Sequence, residues 1–174
     1  PTVPEIIYGA GLSTGFKGFD FSFFFQGLAR ESFFLTLTDQ DWNNDGVIDA
    51  IGLEPFVNER NALRIIIDDH WSEDNPDPYA FWPRLSTSNE ENNNKQSTWW
   101  LRDGGFLRLK SVELGWSFPE RLLNKIKVKE TRIYISGTNL LTFSKFKLWD
   151  PEMAGNGLGY PPQKVYNIGI KISF

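Results

Sequence analysis

The chain has 174 residues, a formal net charge of −4, one histidine, one methionine and no cysteine. This length allows a sizeable core, but the missing cysteine excludes a disulfide framework, thiolate metal sites and cysteine nucleophiles. The mildly acidic balance excludes the basic footprint that nucleic acid requires, and no run approaches the roughly 18 apolar residues of a transmembrane helix.

The opening PTVPEII carries neither an initiator methionine nor a secretory leader, so the chain reads as a piece of a longer polypeptide. Prolines keep its first four residues extended. From Glu5 to Phe16 the sequence alternates, setting Ile6, Tyr8, Ala10 and Leu12 against Ile7, Gly9, Gly11 and Ser13. Lys17-Gly18 is a tight-turn signal. Alternation then resumes, with Phe19, Phe21, Phe23 and Phe25 on one side and Asp20, Ser22, Phe24 and Gln26 on the other. Four phenylalanines on one face are costly in water. They suit either lipid or the core of a soluble β-sandwich.

From about Ala29 to Thr98 the pattern dissolves into QDWNNDGVID, DDHWSEDNPDPYAFWPR and SNEENNNKQS. Asn, Asp and Pro crowd together there, which marks turns, and a loop of this length in a compact domain is usually functional. Leu63 to Asp69 reads as a short strand or helical turn within it. Gly104-Gly105 introduces another strand, with Val112, Leu114, Trp116 and Phe118 on one face and Ser111, Glu113, Gly115 and Ser117 on the other. Upstream, Arg108 and Lys110 fall in line with the apolar face, which requires either an end above the bilayer or a bulge. Pro119 to Ile126 reads as one or two helical turns. Arg132 to Thr142 is a fourth strand whose facing the pattern leaves open. After an irregular stretch, Gln163 to Phe174 sets Tyr166, Ile168, Ile170, Ile172 and Phe174 against Asn167, Gly169, Lys171 and Ser173.

Five strands are therefore expected, at about 5–16, 19–32, 104–118, 130–142 and 163–174, with long loops at about 33–103 and 143–162. Strands of about 9–11 residues are long enough to cross hydrocarbon when tilted. Connections that alternate short and long match the short periplasmic turns and long extracellular loops of outer-membrane barrels. An open five-stranded sheet in lipid would leave unsatisfied backbone groups at two edges, each costing several kcal/mol, so the missing strands must come from elsewhere in the polypeptide.

The segments FKGFDFSFFFQG (Phe16–Gly27), HWSEDNPDPYAFWPRL (His70–Leu85) and WWLRDGGFLRLKSVELGWSFP (Trp99–Pro119) occur in that order. RIYISGTNLLTF (Arg132–Phe143), WDPE (Trp149–Glu152) and GYPPQKVYNIGIKISF (Gly159–Phe174) follow them. Together they resemble the C-terminal end of the SusC/RagA family of TonB-linked outer-membrane proteins of Bacteroidetes. The resemblance implies an all-β fold, the last five strands of a 22-stranded antiparallel transmembrane barrel. It makes Tyr166, Ile168, Ile170, Ile172 and Phe174 the C-terminal insertion signal. Non-enzymatic, TonB-dependent import of glycans or peptides across the cell outer membrane is the implied activity. The implied partners are the rest of the barrel and its plug, a SusD-like surface lipoprotein, the TonB complex and outer-membrane lipid. Two alternatives stand beside this: a barrel repurposed as a structural or assembly subunit of an envelope complex, and a soluble β-sandwich carbohydrate-binding module.

Asp41, Asn43, Asp45, Val47 and Asp49 match the first half of an EF-hand-like calcium loop, in which alternate oxygen ligands converge on a hard cation. Position 12 departs from the motif, being Gly52 where a bidentate Glu belongs; the bland alternative is an Asn/Asp-rich turn. Calcium is the only cofactor expected. His70 beside Asp68 and Asp69 lacks any accompanying nucleophile motif and reads as a locally bonded loop histidine. Glu73, Asp74 and Asp77 read as turn residues rather than a glycosidase pair. Trp71, Tyr79, Trp82, Trp99, Trp149 and Tyr160 are candidates for ligand or lid contact, against anchoring of the loops by mutual burial. Asp20, Gln26, Glu113, Asn167 and Lys171 are candidate lumen-side residues.

Overall fold

The computed structural model of the chain describes residues 1–35, 64–85, 97–123, 128–157 and 159–173. Two compact units divide it. Pro1–Glu31, Gly104–Lys145 and Pro162–Phe174 make one; Ser32–Asp103 and Phe146–Pro161 make the other.

The first unit holds β1 (Ile6–Phe16), β2 (Phe19–Ala29), β5 (Phe106–Ser117), β6 (Glu130–Ser144) and β7 (Val165–Ser173). They form one antiparallel sheet in the order β1-β2-β5-β6-β7. Lys17 and Gly18 both take positive φ, 49° and 88°. That is the type I′ geometry whose twist matches a two-residue hairpin. β2 ends at Ala29, short of the expected 32, because Arg30 turns the chain with φ of 55°. β6 runs past the expected 142 to Ser144, where it pairs with Phe106. Between β5 and β6, α2 (Glu120–Leu123) supplies a single helical turn.

Register settles which side chains share a face. Phe19, Trp116, Ile133 and Ile170 stand in one cross-strand row. Phe21, Leu114, Ile135 and Ile168 make the next. The facing of β6, which alternation left open, follows from these rows. A bulge in β5 explains the misplaced cations: Phe24 pairs with Ser111 but Phe25 with Leu109, leaving Lys110 as the extra residue. Leu107 and Leu109 thereby join Val112, Leu114 and Trp116, and Arg108 moves to the polar face, where it is buried.

In the second unit, β3 (Ser32–Phe34) pairs with β4 (Leu101–Asp103), and α1 (Arg64–Asp68) gives the helical option for the segment around Ile66. Phe33, Leu35, Ile66, Trp82, Trp100 and Phe146 form its core, so apolar residues spread over a long irregular stretch are gathered into one cluster. Ile66 is wholly buried.

The soluble-sandwich alternative does not survive this arrangement. Among the described residues the other strands, β3 and β4, have three residues each. The large sheet's apolar face stays open, with Ile168 89% and Ile170 61% exposed. A sandwich would have covered both with a facing sheet.

Candidate functional site

The apolar face of the sheet carries hydrocarbon on every strand, interrupted by the hydroxyls of Thr14 on β1 and Thr131 on β6. β1 contributes Tyr8, Ala10, Leu12 and Phe16, and β2 contributes its four odd-numbered phenylalanines. Leu107, Leu109, Val112, Leu114 and Trp116 continue it on β5, then Ile133, Ile135, Leu141 and Phe143 on β6. Tyr166, Ile168, Ile170 and Ile172 close it on β7. At the end near the Lys17-Gly18 turn the rings gather: Phe19 stacks on Trp116 at 6.0 Å, and Trp116 lies 4.5 Å from Phe118. Towards the other end, Tyr8 donates its hydroxyl to the Phe106 carbonyl at 3.0 Å, so its one polar atom is satisfied. Aromatic rings flanking an aliphatic band are the pattern of a barrel wall in a bilayer. Of the residues expected to form an insertion signal, Tyr166, Ile168, Ile170 and Ile172 lie exposed on this face; Phe174 lies outside the described residues.

The opposite face carries the polar groups. Asp20, Gln26, Glu113, Asn167 and Lys171 all fall on it by register. Two of them, Asp20 and Glu113, are half-buried and held by Arg132. Its Nε donates to Asp20 Oδ1 at 3.0 Å, and its Nη2 donates to Asp20 Oδ2 and to Glu113 Oε1, the latter at 2.6 Å. The guanidinium reaches β2 from β6 by crossing β5 at Gly115, where a Cβ would collide with it. Sequence reading missed Arg132. The available signals were its parity with Tyr134 and Ser136, and the glycine facing it.

The second unit carries an aromatic cleft of about 280 Å³, lined by Trp71, Asp77, Phe81, Trp82, Trp99 and Trp100 among others. Trp99 stacks on Phe81, 5.7 Å apart and 14° from parallel, and its Nε1 donates to the Phe81 carbonyl. Arg102 lies over the same Phe81 ring at 4.3 Å and donates to the carbonyls of Trp99 and Leu101. Burial disfavours its charged form and lowers its pKa from the ordinary guanidinium value.

The six aromatic candidates do not act alike. Trp82 is 1% exposed, with its Nε1 buried and unbonded among the described residues. Trp149 donates its Nε1 to the Ala154 carbonyl and packs against Phe146. Trp71 is half-buried, its backbone N–H donating to the Trp82 carbonyl. Trp99, Tyr79 and Tyr160 present large exposed surfaces, and Tyr79 and Tyr160 lie outside the cleft lining. His70 makes a local bond from Nδ1 to the Ile67 carbonyl at 2.6 Å. Glu73 pairs with Arg84, and Asp77 accepts from the Tyr79 N–H; Asp74 is exposed. Asp41, Asn43, Asp45, Val47 and Asp49 lie outside the described residues. Among the described residues no cluster of three or more potential metal ligands occurs.

No family model matches the chain. It is 26% identical over 185 residues to TonB-dependent receptor P26 of Formosa agariphila, covering 99% of this chain and 17% of that protein. TonB-dependent receptor P39 of the same organism is 26% identical over 182 residues, covering 97% and 17%. Among solved structures, the RagAB peptide transporter superposes with a TM-score of 0.68 at 26% identity, covering 99% of this chain and 18% of that one. The RagAB peptide importer in its open-open state gives 0.65 at 26% identity, with 99% and 17% covered. The chain thus spans 17–18% of the length of these relatives. They are receptors and transporters by name, not enzymes.

Proposed function

We propose, from the premise that this chain is a segment of a SusC/RagA-type TonB-dependent receptor, that its sheet is part of the wall of an outer-membrane barrel importing glycans or peptides. The observation that carries this reading is the two-faced sheet itself. One face is mostly hydrocarbon, the other holds ion pairs and most of the hydroxyls, and β1 and β7 are open edges. Such edges in lipid require neighbouring strands, which the rest of the polypeptide would supply. A 22-stranded barrel, a plug within it, and a TonB complex drawing on that plug complete the reading.

In this account the polar face lines the lumen and meets the plug, while the loop unit works at the extracellular mouth. The exposed rings of Trp99, Tyr79 and Tyr160 offer flat surfaces to substrate or to a SusD-like lipoprotein lid. Trp71 presents a smaller surface; Trp82 and Trp149 hold the loop core in shape. Calcium at 41–49, resting on the sequence motif alone, would stiffen the same loops rather than carry chemistry.

The test is genetic and uses the full-length protein. Deleting its gene should abolish uptake of a defined set of labelled oligosaccharides or oligopeptides, and the intact gene should restore it only in cells with a working TonB system. Unchanged uptake of both classes, together with loss of other proteins from an envelope complex, would instead favour the assembly-subunit alternative.

A further inference from the structure

Two side chains in the large sheet reach past a neighbouring strand to bond the strand beyond it, each by way of a glycine. On the apolar face, Tyr8 of β1 stands opposite Gly27 of β2, where a Cβ would lie 2.7 Å from both its Cζ and its Oη. The ring crosses β2 through that gap, and its hydroxyl donates to the Phe106 carbonyl of β5 at 3.0 Å. On the polar face, Arg132 of β6 crosses β5 at Gly115 to reach Asp20 of β2. Neighbouring strands lie about 4.8 Å apart, so a long side chain laid across one of them ends among the polar groups of the next.

Tyr134 repeats the arrangement at the edge of the sheet. It stands opposite Gly169 of β7, and a Cβ there would collide with its Cζ, Oη and Cε1. Gly169 is accordingly half-buried, whereas every other residue of β7 is exposed. From alternate positions of β6, on one face, Arg132 reaches back towards β2 and Tyr134 reaches out over β7. The guanidinium carbon lies 5.1 Å from the tyrosine ring centre. What differs from Tyr8 is the far end. Tyr8 finds a carbonyl on the strand beyond its glycine. Past β7 the sheet stops, and among the described residues the Tyr134 hydroxyl has no hydrogen-bond partner.

We propose that Tyr134 donates its hydroxyl, across Gly169, to a main-chain carbonyl of the strand that pairs with β7, and so fastens the seam between β7 and the rest of the barrel wall. This rests on the barrel reading, in which another part of the same polypeptide covers the open edge of β7. It goes further in naming the side chain that crosses the seam, the face on which it crosses and the group it meets. A main-chain carbonyl is the fitting acceptor on two grounds. Tyr8, in the same geometry, takes one. Any strand presents carbonyls along its edge, whatever its side chains are.

Photocrosslinking in the full-length protein tests the contact. Tyr134→p-azidophenylalanine puts the reactive group where the hydroxyl stands. After irradiation of the assembled protein in membranes, mass spectrometry identifies the attached peptide. Attachment should be to the strand adjacent to β7, close to the residue opposite Gly169. Attachment to the plug or to a separate envelope protein, or no crosslink in assembled protein, would overturn the proposal. Tyr134→Phe gives a second reading without a bulky label. Losing one neutral hydrogen bond should shift the unfolding equilibrium about fivefold, as Tyr8→Phe should for the bond to Phe106. Tyr134→Phe as stable as the wild type would overturn the proposal. Heat-modifiable migration on gels reports assembly separately. A wild type that never assembles in membranes overturns the barrel reading itself, whereas an assembled barrel lacking the crosslink overturns the seam contact alone.

Discussion

Arg132 on β6 and Asp20 on β2 are joined across an intervening strand, a bond made possible by the absence of a side chain at Gly115. With Glu113 on β5 as a second acceptor, one guanidinium ties three strands together on the polar face. Because both Asp20 oxygens are used, the contact depends on a planar fork that lysine lacks. Arg132→Lys and Arg132→Met in the full-length protein should each lower the temperature at which the heat-modifiable form is lost, Met more than Lys. Gly115→Val should resemble Arg132→Met, since its side chain displaces the guanidinium.

The apolar face predicts a cost graded by depth. Phe23 pairs with Leu12 and Val112 in the row that includes Gly137, at the middle of the band. Phe23→Arg should therefore destabilise the assembled barrel by about 2–4 kcal/mol. Phe16→Arg, beside the Lys17-Gly18 turn, should cost only about 0–1 kcal/mol. Urea-dependent unfolding of the full-length protein in liposomes gives both values. Equal costs at the two depths would argue against a bilayer crossing.

The β1–β2 turn gives a separate handle. Gly18 sits at φ of 88°, and its carbonyl accepts the Ser117 N–H at 2.7 Å. Gly18→Val places a β-branched residue in the left-handed region, a strain of about 1–3 kcal/mol. Lys17→Asn, which tolerates positive φ, should be neutral or stabilising in the same unfolding assay.

Within the loop unit, burial separates the aromatic side chains by role. Trp82→Ala should loosen the unit by about 3–5 kcal/mol, measured as faster limited proteolysis between 64 and 103. Tyr79→Ala, at a residue 90% exposed, should leave proteolysis unchanged. On the proposed placement at the extracellular mouth, its effect should appear in substrate or lid binding alone.

Much of the sheet was legible in the sequence because most strands set apolar residues on one face and polar or small residues on the other. Period-two alternation from Ile6 to Phe16 and from Phe19 to Gln26 left little room for another structure. Where one extra residue interrupts the ladder, as at Lys110, parity reverses and sequence alone offers two explanations. The facing of β6 became clear only from its neighbours, since Arg132 to Thr142 mixes apolar and small polar residues on both parities. The loop unit was least legible. Its core joins Phe33, Ile66, Trp82 and Phe146, residues far apart in the chain with no period between them. A Trp that anchors a loop and a Trp that faces substrate look alike until burial is known.

The central claim is that the Phe- and Ile-bearing face meets acyl chains while its opposite lines an aqueous lumen. Single cysteines placed along β7 in the full-length protein, each carrying an environment-sensitive fluorophore, test this most directly. Labels at Ile168→Cys and Ile170→Cys should be quenched by lipid-borne quenchers. Those at Asn167→Cys and Lys171→Cys should respond only to aqueous ones. Quenching without that alternation, or with its phase reversed, would contradict the account.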